Sequence, residues 1–107
     1  MSEALDTLQA NYFFLTDNLD DLLDRCHDEK QKADLMASYR KAKLSFYTAR
    51  NLAFAAGDAN VAKVVADMKT AQTSLEKMTK GLAEITKVIT AVSTVVRIGA
   101  DLASMAK

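Results

Sequence analysis

The chain contains no proline and no tryptophan, and among its 107 residues there are only three glycines, one cysteine and one histidine. With half of its residues apolar, it lacks the punctuation that a turn-rich β protein needs. Helix throughout is the expectation. A lone Cys26 excludes an intramolecular disulfide, and with it the bridged framework of small secreted scaffolds. The segment from Met1 to Asp6 carries acids and no basic stretch followed by an apolar run, so it does not read as a signal peptide. A cytoplasmic location is expected, with export by a signal-peptide-independent route left open.

The same scarcity removes several chemistries. Gly57, Gly81 and Gly99 are isolated from one another, so no glycine-rich loop is present to cradle a phosphate. His27 adjoins Cys26, but one residue of each kind gives neither a catalytic dyad nor a set of metal ligands. No cofactor and no resident metal are expected.

What the chain does have is apolar periodicity. Leu5, Leu8, Tyr12, Leu15, Leu19, Leu22 and Cys26 step by threes and fours, which keeps a seam on one helix face. A second series runs Leu35, Tyr39, Ala42, Phe46, Ala49, Ala53 and Ala56, out of phase with the first. The mismatch places a break near residues 27–32, where Asp28 and Gln31 match the capping-box spacing. A tight turn is expected in the run from Ala55 to Asn60, where Gly57 suits a left-handed helix end and Asp58 can cap the next helix.

The third series holds heptad spacing from Val61 to Ala106 across Gly81. Uninterrupted, it predicts one helix roughly 70 Å long. The fold class read from these patterns is all-α: an antiparallel helical bundle or coiled coil of three long helices, four if the chain turns at Gly81, in one domain spanning 1–107. Unbroken phase favours continuity through Gly81, while the segment lengths near 3–26, 30–56, 58–80 and 82–105 favour folding back.

The formal charges cancel overall but are unevenly placed: residues 1–34 hold nine acids and three bases, and residues 35–80 hold three acids and eight bases. Side-by-side neutralisation of the two segments is the plain explanation. The sharper one is an acidic surface offered to a basic partner. Asp17, Asp20, Asp21, Asp24 and Asp28 fall at helical spacing and read as an acidic stripe opposite the leucine seam.

Asp20-Asp21-Leu22-Leu23-Asp24 resembles the aspartate-rich magnesium motif of isoprenoid synthases, which would imply a metal held against a diphosphate. Those enzymes need a second such motif and a large apolar cavity, and the chain offers neither. Small helical nucleotide pyrophosphatases hold magnesium between two acidic helices, and here the second acidic helix is missing. Arg40, Lys41, Lys43 and Arg50, with Tyr39, Phe46 and Tyr47 among them, suggest a nucleic-acid surface. Zero net charge weakens that reading, because non-specific affinity is mostly electrostatic.

Between Val88 and Ala106 only Arg97 and Asp101 are charged. Val88, Val95, Ile98 and Leu102 add a second apolar stripe beside Val92 and Val96, so this helix should be covered on two sides, by its own chain, by a second copy, or by lipid. In this apolar character the stretch is similar to the helices of α-helical pore-forming toxins. The expected function is a non-enzymatic interaction module that binds a protein partner, basic in character, or self-associates as a homo-oligomer. The alternative is a membrane-active protein inserting residues 82–106, and the third reading is a magnesium-dependent enzyme using the acidic stripe.

Overall fold

A computed structural model describes residues 2–107, and the described residues form four α-helices: α1 (Glu3–Arg25), α2 (Glu29–Arg50), α3 (Ala59–Lys80) and α4 (Ile85–Ala103). Each of the first three starts where a short polar side chain satisfies the free amides of the opening turn. Ser2 accepts from the Leu5 amide, Asp28 from that of Gln31, and Asp58 from those of Asn60 and Val61. At α2 the reciprocal bond is made one residue early, with the His27 amide donating to Gln31 Oε1 at 2.6 Å.

The chain does turn after Gly81, so the expected continuous third helix is two helices. Met78 and Ile85 keep the seven-residue spacing across the four residues of the turn, so the heptad pattern of the sequence does not register the break. The Ala83 amide donates to the Met78 carbonyl at 2.9 Å and the Leu82 amide to that of Thr79 at 3.3 Å, which is the double closure of a Schellman motif. Its left-handed residue is Leu82, with φ of 56°, and not the adjacent Gly81. Leu82 is also 75% exposed, so its side chain recovers little packing for that conformation.

Replacing Leu82 with Gly removes the Cβ penalty of about 1–2 kcal/mol. It adds glycine's greater unfolded-state freedom, about 0.5–1 kcal/mol. A net stabilisation of about 0.5–1 kcal/mol is expected in urea unfolding, and a lower urea midpoint would show that Leu82 is held there by contacts worth more than its strain.

The second difference lies between α2 and α3. α2 stops at Arg50, six residues before the expected end, and residues 51–58 form a connection and not a tight turn. Gly57 is left-handed as its sequence context suggests, with φ of 73°, and it lies within that connection. The length follows from how the helices are arranged. α1 packs on α2 and α3, α4 packs on both of these and on α1, and α2 and α3 make no contact with each other. The connection therefore crosses the end of the bundle on the diagonal. It is pinned there by Ala53 and Lys107, whose amides and carbonyls exchange hydrogen bonds of 2.9 and 2.7 Å.

The turns at 26–28 and 81–84 lie at the opposite end, joined by Arg25 Nη2 donating to the Ala83 carbonyl at 2.6 Å and by Gln31 Nε2 donating to Thr86 Oγ1 at 3.3 Å. Two antiparallel hairpins thus lie side by side. Across them α1 runs parallel to α3 and α2 parallel to α4.

All four helices supply the core, and α4 is its centre. Leu15, Leu22, Leu35, Met68, Leu75, Val88, Val92, Val95 and Leu102 are completely buried. Gly99 lets α4 approach closely: a Cβ there would meet Met68 Cε at 2.9 Å and Leu8 Cδ2 at 3.3 Å. Among the described residues, the one buried polar link between α1 and α3 is Asn11 Nδ2 donating to Gln72 Oε1 at 2.8 Å. Asn11→Ala strands the Gln72 amide and should cost about 1–3 kcal/mol, most of it recovered when both positions become Leu. Urea titrations of the two variants check this, and a double variant as unstable as the single one would contradict it.

Candidate interaction surface

Asp17, Asp20, Asp21 and Asp24 are all solvent-exposed on α1. At about 100° per residue they fall within an arc of roughly 100°, facing away from the core. Asp28 does not belong to this stripe. α1 ends at Arg25, and Asp28 sits in the following turn, where its carboxylate is spent capping α2. The expected stripe of five is a stripe of four, of which Asp21 lies 4.0 Å from Arg25 on its own helix.

Phe13 lies in the same arc, one turn before Asp17, and is 50% exposed. It belongs to an aromatic cluster that bridges α1 and α2. The Tyr12 ring centroid is 5.9 Å from Tyr39, 5.8 Å from Phe46 and 5.9 Å from Tyr47, and that of Phe13 is 6.3 Å from Phe46. These separations are those of favourable stacked and edge contacts. Burial holds the Tyr12 phenol above its ordinary pKa, and the neighbouring Tyr39 and Tyr47 hydroxyls add to the shift, so it stays protonated at neutral pH.

On α2, Arg40, Lys43, Tyr47 and Arg50 share the side that leans toward α1, within an arc of roughly 80°. Lys41 points elsewhere. All of these basic residues are exposed, Tyr47 is 37% exposed, and the Arg50 guanidinium carbon stands 4.7 Å from the Tyr47 ring centroid. Such a cation–π contact orders both side chains at the surface. Leu44, 67% exposed, lies beside them.

Among the described residues, a single ion pair, Glu3 with Lys69, joins the two charged segments. Among the described residues the pairs are Asp21 with Arg25, Asp34 with Lys30, Glu29 with Lys32, Asp67 with Lys63, Glu84 with His27 and Glu3 with Lys69. None joins the α1 stripe to Arg40, Lys41, Lys43 or Arg50. The antiparallel hairpin sets the acids toward the 26–28 turn and the bases toward the other end. One long face therefore carries an acidic half and a basic half.

The apolar residues expected at a self-association or membrane surface are placed otherwise. Val88, Val92, Val95, Val96 and Leu102 are buried in the core, and Ile98 is half-buried against it. As folded the five buried residues present no surface, and their contact with lipid or a second chain would require α4 to leave the bundle. Among the described residues no helix is long and apolar enough to cross a membrane.

The grooves carry little chemistry. One of about 490 Å3 between α3 and α4 is lined mainly by small side chains such as Ala71, Ser74, Ala91 and Thr94. The hydroxyls of Thr90 and Thr94 donate back to the carbonyls of Thr86 and Thr90 on their own helix. A second, of about 480 Å3, lies between the 51–58 connection, the start of α1 and α3, and is lined by Phe54, Val61 and Val65 with Lys69 at its edge. Among the described residues no three His, Cys, Asp or Glu side chains come together as a metal site. Burial pushes the Cys26 thiol up, and its Sγ donates to the Leu22 carbonyl at 3.4 Å, while His27 Nε2 faces Glu84 at 3.8 Å.

A scan against protein-family models, a search of curated proteins and a search of solved structures each find no match to this chain.

Phe13 and Leu44 are exposed residues that no motif singles out. A signal for both is present in the sequence: they fall off the threes-and-fours seams of their helices, and a large apolar residue off the seam faces outward. Tyr47 is exposed beside the basic residues of α2, where the sequence places it.

Proposed function

We propose that the chain is a non-enzymatic helical module that binds another protein through the outer face of α1 and α2. The observation that carries this reading is the face itself: Asp17, Asp20 and Asp24 on one half, and Arg40, Lys43 and Arg50 on the other, have no ion-pair partner among the described residues. Exposed Phe13 and Tyr47 lie among these charges. Tyr and Arg are the residues that most often anchor protein interfaces, and complementary charge steers encounter and fixes register. The acidic half fits a basic partner.

Photo-crosslinking tests the reading. A benzoylphenylalanine placed at Phe13 should form a discrete adduct with another protein in cells expressing the full chain, and the same probe at exposed Thr73 on α3 should not. Lysine at Asp17, Asp20 and Asp24 should abolish the Phe13 adduct while circular dichroism is unchanged. Equal crosslinking from both positions, or an adduct indifferent to the charge reversal, would contradict the assignment.

A further inference from the structure

We infer that the α1–α2 face binds a second copy of this chain, in a two-fold, isologous homodimer. The inference rests on the reading of this face as a contact surface and names its occupant. Three observations point to the same geometry.

The first is charge order. Asp17, Asp20 and Asp24 lie toward the 26–28 turn, and Arg40, Lys43 and Arg50 lie toward the opposite end of the same hairpin. A two-fold axis lying in the plane of the face, passing between these groups and perpendicular to the line that joins them, sets each acidic half on the other copy's basic half, twice over. A parallel arrangement would oppose like charges, which disfavours the wrong register.

The second is the apolar content. Phe13 lies one turn before Asp17 and 6.3 Å from Phe46 of α2, and is half exposed, while Tyr47 and Leu44 are exposed on α2. An isologous contact brings its axis residues against their own equivalents, so one exposed aromatic near the axis supplies a pair. The third is size. The molecule measures 43 × 22 × 18 Å. One long face then offers on the order of 800 Å2, about what a standard interface takes from each partner.

Sedimentation equilibrium of the full chain tests this directly. The wild type should dimerise, and its dissociation constant should rise at least about tenfold between low and high salt, because exposed charges are screened. Two triple variants extend the test without touching the core: D17K/D20K/D24K and R40E/K43E/R50E, each checked for unchanged helicity. Each alone should be monomeric, since both halves of its face now carry one sign. Mixed in equal amounts they should form a heterodimer, because both contacts are again opposite in sign.

A wild-type chain that stays monomeric at millimolar concentration overturns the inference, as does dimerisation of either variant alone or a mixture that remains monomeric. A monomeric chain that still crosslinks through Phe13 to a different protein removes the dimer and leaves the interaction module standing. Binding of a labelled single-stranded oligonucleotide by Arg40, Lys43 and Arg50 in a monomer would also contradict it.

Discussion

Val92→Asp should leave the chain without a cooperative unfolding transition. Val92 is completely buried in α4, the helix that packs against all three others. A carboxyl group there has no basic partner, and ionised or neutral it loses its water. The penalty for an unpaired polar group ranges over about 2–7 kcal/mol and is higher for a charge. The missing methyl packing adds to it. A domain of this size has a total stability of only about 5–15 kcal/mol. Circular dichroism during urea titration should show lost helicity or a broad, non-cooperative slope. A sharp wild-type-like transition would mean that α4 is not the centre of the fold. The same substitution would be a poor probe of lipid insertion by residues 82–106, because it unfolds the bundle before any vesicle is added.

Leu22→Ala should cost about 2–5 kcal/mol, whereas Asp21→Asn and Asp24→Asn on either side of it should change stability by no more than about 0.5 kcal/mol. Leu22 is fully buried and both aspartates are exposed. Truncating the leucine removes buried methyl groups and leaves a cavity between helices that cannot fully collapse. Neutralising the acids disturbs at most a surface pair, since Asp21 is 4.0 Å from a mostly buried Arg25. The contrast divides α1 into a face that holds the fold and a face that is free for contact. Urea midpoints of the three variants check it. A large loss from either aspartate would show that the stripe has a structural role.

The seams were the most legible part of the sequence, because burial on a helix repeats every three or four residues whatever the topology. Leu8, Leu15 and Leu22 are in the core as their spacing requires, and so are Leu35, Phe46, Met68 and Leu75. Caps were legible for the same local reason, at Asp28 and Asp58. The turn at 81–84 was not, since Met78 and Ile85 on either side of it keep the seven-residue spacing and the strained position went to Leu82, which gives no glycine signal. Nor was the diagonal connection at 51–58, because its length depends on which helices are neighbours and no local pattern encodes that.

The site divides along the same line. An acidic stripe could be read from spacing alone, but its boundary could not, because Asp28 has the right spacing and lies beyond the end of the helix. The valines of α4 read equally well as core or as contact surface, since periodicity reports an apolar face and is silent on what covers it. The juxtaposition of Phe13 with Tyr47 and Arg50 needed the packing of α1 on α2 before it could be seen.

Whether α4 is covered by its own chain decides between a contact face on α1 and α2 and one on α4, so the fold-back at 81–84 is the point to measure first. Nitroxide labels at Ser74→Cys and Thr94→Cys, in a Cys26→Ser background, sit on the two walls of the α3–α4 groove. Dipolar EPR should give a separation below about 20 Å, since axes of packed helices lie about 8–10 Å apart. A continuous helix would instead hold the labels about 30 Å apart. That longer distance would contradict the bundle, return α4 to the surface, and make its valines the place to look for a partner.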